Sequence, residues 1–174
     1  FTAILDKYFE FDKNLQRKLI TFRDQLSTTN DLEKYSKELQ ALEREFTLFH
    51  VKILDEILTN SKYNIELIGF HGQTVLHNSE KKISKQIGDG KLLSQLTKKI
   101  VINNFRTNDL KKDGQGAPLT PIFHQLISCL INKKNKIEIP INIINIGGIS
   151  NVTQISEFED LNYSNIKAFD IGPG

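Results

Sequence analysis

Apolar residues recur at helical spacing over the first part of the chain and give way to short β-branched runs toward its end. Leu15, Leu19, Ile20 and Phe22 predict a helix from Asp12 to Gln25, closed by the polar break Ser27-Thr28-Thr29-Asn30. Leu32, Tyr35, Leu39, Leu42, Phe46, Phe49, Ile53 and Ile57 return every three or four residues, which predicts one long second helix to about Thr59, N-capped by Asn30 or Asp31. That stripe reads as core. Ile65 to Phe70 is too short and too β-branched for a helix, so it is expected to be a strand that delivers a turn at His71-Gly72-Gln73-Thr74. A short helix over Lys91 to Lys99 and a strand over Ile100 to Asn103 follow. A helix is then expected from Pro118 or Pro121 to Asn132, with Leu126, Ile127, Leu130 and Ile131 turned inward. Ile141 to Asn145, Val152 to Ile155 and Ile166 to Phe169 then read as a three-stranded meander. The change from helices to strands predicts a boundary between residues 120 and 138, dividing the chain into 1–120 and 121–174.

Bulk properties narrow the function classes. The chain's 174 residues suffice for one core or two small lobes. Its 23 basic and 21 acidic residues are well mixed, leaving no polyanion-binding stripe, so nucleic acid is not an expected partner. The locally basic segment Asn132 to Lys136 reads as a solvated loop. The single cysteine, Cys129, lies in an apolar run and is expected to be buried and inert, with no internal disulfide, which fits a reducing cytosol. No apolar stretch approaches a membrane span, and no secretory leader pattern opens the chain.

The candidate chemistry lies in glycine-rich turns and one acidic motif. Asn145 to Asn151 and Phe169 to Gly174 each end a β-branched run, and glycine there lets successive N–H groups converge on an anion. Gly147, Gly148, Ser150 and Asn151, with Gly172 and Gly174, are therefore candidate phosphate-binding residues, a plain Gly-Gly hairpin being the alternative. Asp109, ahead of the loop Asp113-Gly114-Gln115-Gly116, is the candidate general base, and a polar loop residue or helix cap is its plainer reading. Arg106, three residues earlier, would share a helical face with it and either keep it ionised or hold substrate oxygens. Gln115 is a candidate partner for sugar hydroxyls, or a turn-stabilising amide. Gln73 and Thr74 are candidate sugar contacts at a strand end. His71 and His77 lack an acidic or cysteine companion, so no metal site is assigned to them. His124 reads as a structural hydrogen-bonding residue. Neither a GxxxxGK[ST] loop nor a GxGxxG fingerprint occurs.

Taken in order, His71-Gly72-Gln73-Thr74, Ile87-Gly88-Asp89-Gly90, Phe105-Arg106-Thr107-Asn108-Asp109 with Gly114-Gln115-Gly116-Ala117-Pro118-Leu119, Asn145-Ile146-Gly147-Gly148-Ile149-Ser150-Asn151 and Asp170-Ile171-Gly172-Pro173-Gly174 resemble the anhydro-N-acetylmuramic acid kinase family, a branch of the actin-like sugar kinases. The resemblance is sharp from about Leu67 to Gly174. It implies an α/β, actin-like (ribonuclease H-like) two-lobed sugar kinase fold truncated at both ends. Residues 1–120 would then be an incomplete first lobe, and 121–174 the connecting helix and opening β-meander of the second. It also implies a nucleotide-phosphate loop preceding Phe1.

The implied activity uses ATP and water to open 1,6-anhydro-N-acetylmuramic acid and phosphorylate its 6-oxygen, with Mg²⁺ offsetting phosphate charge, in cytoplasmic peptidoglycan recycling. Asp109 falls on the family's general base, and the resemblance favours Gln73 and Thr74 as sugar contacts; His71, Arg106 and Gln115 are candidate substrate-binding residues beside them. The implied partners are the amino sugar and ATP, with a homodimer allowed. Asp113 departs from the pattern, which begins this loop with two glycines; aspartate tolerates the positive φ such a position uses. The rival reading is a non-catalytic remnant or sugar-binding module that keeps the cleft loops without the nucleotide loop. On that reading, as on the fragment reading, the chain alone is expected to be inactive. A glycosidase ranks last, because only one carboxylate has a convincing setting.

Overall fold

A computed structural model describes residues 3–158 and 166–173. The chain is mixed α/β and divides into two compact units, 1–114 and 115–174. The division follows Gly114, ahead of the 120–138 interval where the sequence pattern changes.

The first unit opens with α1 (Lys13–Gln25), and Asp12 caps it, its carboxylate accepting from the Asn14 and Leu15 amides. The predicted single second helix is two: α2 (Thr29–Lys34) and α3 (Ser36–Asn60), broken at Tyr35. The cap also lies earlier than expected. Thr28 takes the extended cap position, and the Asp31 carboxylate reaches back to accept from the Ser27 and Thr28 amides at 3.0 and 2.7 Å. A capping box needs its acid three residues after the cap, so Asp31 serves this start from inside the helix.

β1 (Leu67–Phe70) pairs in parallel with β4 (Ile100–Asn103), Leu67 opposite Ile100 and Phe70 opposite Asn103. Between them come an antiparallel hairpin, β2 (Gln73–Asn78) with β3 (Ile83–Ile87), and α4 (Gly90–Thr97). The hairpin was not expected from the sequence, which placed a simple turn at Gln73 and Thr74; both residues lie in β2. One face of the parallel pair is buried: Ile68 and Phe70 join Leu15, Phe22, Leu42, Phe46, Ile87 and Leu93 in one core. Its other face leaves Leu67, Ile100 and Ile102 exposed. His50 of α3 sits among the rings of Phe11, Phe46, Phe49 and Phe70, its Nδ1 donating to the Phe46 carbonyl at 2.8 Å. Burial pushes its pKa below the ordinary histidine value. The unit ends in α5 (Phe105–Lys111), where the sequence reading had set Asp109 ahead of a loop.

In the second unit α6 (Pro121–Lys134) packs on an antiparallel sheet ordered β5 (Ile141–Asn145), β6 (Ile149–Ile155), β7 (Ile166–Pro173). The fully buried residues of α6 are Pro121, Gln125 and Ser128. The predicted inward stripe only flanks that contact: Leu126, Ile127 and Leu130 are half-buried and Ile131 is exposed. Cys129 is likewise half-buried, where full burial was expected. The sequence pattern predicts a turn over Asp170 to Pro173, yet β7 continues through it, with Gly172 opposite Ser150. Gly174 lies outside the described residues. Among the described residues no helix is long and apolar enough to cross a membrane.

Candidate active site

β1 and β4 end side by side, and the carboxyl edge of such a pair is where open α/β sheets gather ligand groups. His71 follows β1 directly, while Asn104 and α5 follow β4. A cleft of about 280 Å³ opens there, lined by His71, Ser84, Gln86, Asn103, Asn104 and Thr107 together with Phe70, Lys85 and Gly88. The motif from Ile87 to Gly90 holds its floor. The Gly88 amide donates to Glu43 at 3.2 Å, the Asp89 amide to Thr47 Oγ1 at 2.9 Å, and Asp89 Oδ1 caps α4 by accepting from Leu92. Lys85 completes the tie to α3 by pairing with Glu43 at 2.8 Å.

Asn104 adopts a left-handed conformation, φ 57°, which turns the chain sharply out of β4 into α5, and its Oδ1 accepts from the Thr107 hydroxyl. α5 then carries Arg106 and Asp109 one helical turn apart. Arg106 Nε donates to His71 Nε2 at 3.2 Å, and the Phe105 ring lies nearly parallel to the imidazole, 8° between planes and 6.4 Å between centroids. Burial alone pushes the Arg106 guanidinium below its ordinary pKa, and arginine stays charged regardless.

Asp109 is half-buried. Its backbone carbonyl accepts from the Lys112 and Gly114 amides at 3.0 and 2.9 Å, folding the chain back so that Gly114 passes under the Asp109 carboxylate. A Cβ on Gly114 would stand 2.2 Å from Oδ2 and 2.5 Å from Oδ1. Asp113, just before it, takes φ 67° and pairs with Lys82, so the position that departs from the family's glycine keeps the backbone angle a glycine would favour.

The first unit therefore joins Arg106 to His71, with Asp109 one turn from Arg106 on α5; of these three only His71 lines the cleft, and Gln73 and Thr74 do not line it. Those two residues line a different groove with Gln16, Ile20 and Arg23 of α1, and Thr74 Oγ1 accepts from Gln86 at 3.3 Å. Gln115, the first residue of the second unit, is exposed. The sequence reading missed Ser84, Gln86, Asn103, Asn104 and Thr107. The alternation along Ile83-Ser84-Lys85-Gln86-Ile87, after the polar turn Ser79 to Lys82, was the available sign of the hairpin that brings in the first two.

In the second unit the turn at Gly147 and Gly148 is exposed. Among the described residues a Cβ at Gly148 would meet no atom within 4 Å, and the nearest to one at Gly147 is the Ile149 carbonyl oxygen at 3.8 Å. Neither glycine sits in the left-handed region, so neither packing nor backbone angle within this chain calls for glycine there. Ser150 is buried beside the turn, and the ladder to β7 shifts register between Ser150 and Asn151. Among the described residues Asn151 Oδ1 is buried with no hydrogen-bond partner, and Asp170 lies opposite Asn151. Behind the sheet, His124 Nδ1 and Thr153 Oγ1 are hydrogen-bonded at 2.8 Å, and desolvation lowers the His124 pKa.

The model of the anhydro-N-acetylmuramic acid kinase family matches residues 2–174. The chain belongs to that family. Its anhydro-N-acetylmuramic acid kinase relatives include a protein from Pelagibacter ubique, 50% identical over the whole chain, which spans 44% of that relative's length. Others are from Agrobacterium fabrum, 37% identical over 96% of the chain and 44% of the relative, and from Gluconobacter oxydans, 38% identical over 87% and 41%. The chain thus spans less than half the length of the anhydro-N-acetylmuramic acid kinases it resembles.

Proposed function

We propose that a protein containing this chain uses ATP and water to convert 1,6-anhydro-N-acetylmuramic acid to N-acetylmuramic acid 6-phosphate, a step in the cytoplasmic recycling of peptidoglycan, with Asp109 as general base. The observation that carries this reading is the seat of Asp109. Its carboxylate lies against Gly114, on the helix that follows β4 and one turn from Arg106. A base must be held within reach of the proton it takes, and a glycine that no side chain can replace without displacing the carboxylate serves that purpose.

In this chemistry Asp109 takes a proton from water as the water oxygen bonds to the anomeric carbon. The bond from that carbon to the 6-oxygen breaks, and the freed oxygen attacks the γ-phosphorus of ATP, expelling ADP. The base then returns its proton to solvent. Arg106 orients substrate oxygens, and the turn at Gly147 and Gly148, with Ser150, Asn151 and Gly172, receives phosphate oxygens on backbone N–H groups. One structural feature supports that role for the turn: among the described residues, nothing crowds the space above its glycines.

Among the described residues no three His, Cys, Asp or Glu side chains gather into a metal cage. Mg²⁺ bound through ATP needs only one or two protein carboxylates, and Asp170, opposite Asn151, is the residue we assign to it. When bound, it would neutralise phosphate charge. We further propose that the two units belong to the two lobes of an actin-like fold.

The decisive experiment is Asp109→Asn in a protein of the relatives' length that contains these residues. Sugar binding should stay within a few-fold while turnover falls by roughly two or more decades. Near-normal turnover would remove Asp109 from the chemistry.

A further inference from the structure

His71 invites a substrate-binding role, being a polar side chain at a strand end on the rim of the cleft. Its hydrogen bonds say otherwise. Nδ1 is 2.8 Å from the Gly72 carbonyl oxygen, and Nε2 is 3.2 Å from Arg106 Nε. A carbonyl only accepts and a guanidinium only donates, so both contacts are satisfied together when Nδ1 carries the proton and Nε2 presents its lone pair. Both ring nitrogens then face protein groups. The ring plane is set as well, by the near-parallel Phe105 ring, which itself packs beside β1 with its Cζ 3.8 Å from where a Gly69 Cβ would stand.

Arg106 gains from this arrangement. Nε is the donor nearest the stem, and fixing its direction fixes the plane of the whole guanidinium fork, which determines where the two terminal nitrogens can reach. A long side chain otherwise loses considerable rotamer freedom on engaging a ligand. Since α5 puts Arg106 one turn from Asp109, the plane of the fork also governs how substrate oxygens are presented to the base.

We propose that His71 is a positioning residue: it orients the Arg106 guanidinium from the rear and does not itself contact the sugar. This rests on the reading of Arg106 as the group that binds substrate oxygens. It also gives the residues around two separate motifs one task, with the residue after β1 supplying the acceptor and α5 the donor and the stacking ring.

The test is a double-mutant cycle in a protein of the relatives' length containing these residues, reading kcat and KM for the anhydro sugar along with thermal midpoints. His71→Ala should lower kcat/KM about tenfold, the scale of one hydrogen bond to a charged group, with the midpoint little changed. Arg106→Ala should cost more, and the double variant should be no worse than Arg106→Ala alone. His71→Gln, which offers an amide oxygen to Nε, should recover much of the loss, whereas His71→Leu should not.

Additive losses would overturn the inference, because they would mean that His71 touches substrate independently. So would wild-type kinetics in His71→Ala, or a loss in His71→Ala when Arg106→Ala is silent. Failure of the functional reading has a separate signature: full turnover in Asp109→Asn, whatever the cycle shows.

Discussion

The carboxylate of Asp109 lies over the Cα of Gly114, so that the Cβ of any other residue there would come within 2.2 Å of Oδ2. Gly114 therefore matters through the position of a neighbouring side chain and not through its own φ. Gly114→Ala should displace the carboxylate or push the loop away from α5. Turnover should fall by one to two decades, since misplacing a catalytic group by about 1 Å costs on that order. Stability should change by less than about 1 kcal/mol, because only the end of a rotatable side chain has to move. Steady-state kinetics beside denaturant unfolding checks both, and unchanged turnover would show that the close approach has no bearing on catalysis.

Gly148 presents the opposite case. A Cβ there meets nothing within 4 Å among the described residues and needs no left-handed backbone, so Gly148→Val should leave stability within about 0.5 kcal/mol. Phosphate binding should suffer instead, with ADP affinity falling roughly tenfold or more while sugar affinity holds. Calorimetry with each ligand distinguishes this from general damage, which would weaken both equally.

Residues 1–174 expressed alone should show little or no phosphorylation of the anhydro sugar and should self-associate. Leu67, Ile100 and Ile102 form an open apolar face on a parallel strand pair, an arrangement ordinarily covered on both sides. Sedimentation should show species larger than a monomer, and Ile100→Lys with Ile102→Glu should reduce them. A monodisperse, active monomer would contradict this prediction on both counts.

His50 supplies a pH dependence. Its folded-state pKa is lowered, chiefly by burial, so the unfolded chain binds the proton more readily. Its stabilising contribution is complete above the ordinary histidine value of about 6.5 and is lost as pH falls below it. The thermal midpoint should drop between pH 7.5 and pH 5.5, and His50→Phe, which keeps a ring among Phe11, Phe46, Phe49 and Phe70, should flatten that drop. An identical slope in the variant would assign the effect to other groups.

What the sequence disclosed depended on how local the signal was. The helix α1, the core stripe through Leu42 and Phe46, and β1, β4 and β5 all follow from patterns within one element. The β2–β3 hairpin escaped because its glycine-bearing entry resembles a plain turn. α5 escaped because Phe105, Thr107, Asn108 and Asp109 are indifferent helix formers, held helical by the turn at Asn104 and the fold-back onto Asp109. Arg106 and Asp109 were legible as a pair from their spacing. The contact of Arg106 with His71 was not, because it joins the ends of two strands that only tertiary structure brings together.

The parallel pairing of β1 with β4 carries a kinetic consequence. Leu67 cannot meet Ile100 until the intervening hairpin and α4 have formed or been closed into a loop, whereas β2–β3 and α4 rest on near-neighbour contacts. The strand ends that frame the cleft should accordingly be joined late, after the elements between them. Substitutions in β4 should then act mainly by accelerating unfolding, leaving the folding rate almost untouched. The cleft would thus be the last part of this unit to assemble and the first to be lost, so ligand held there would act as a brake on the unit's opening.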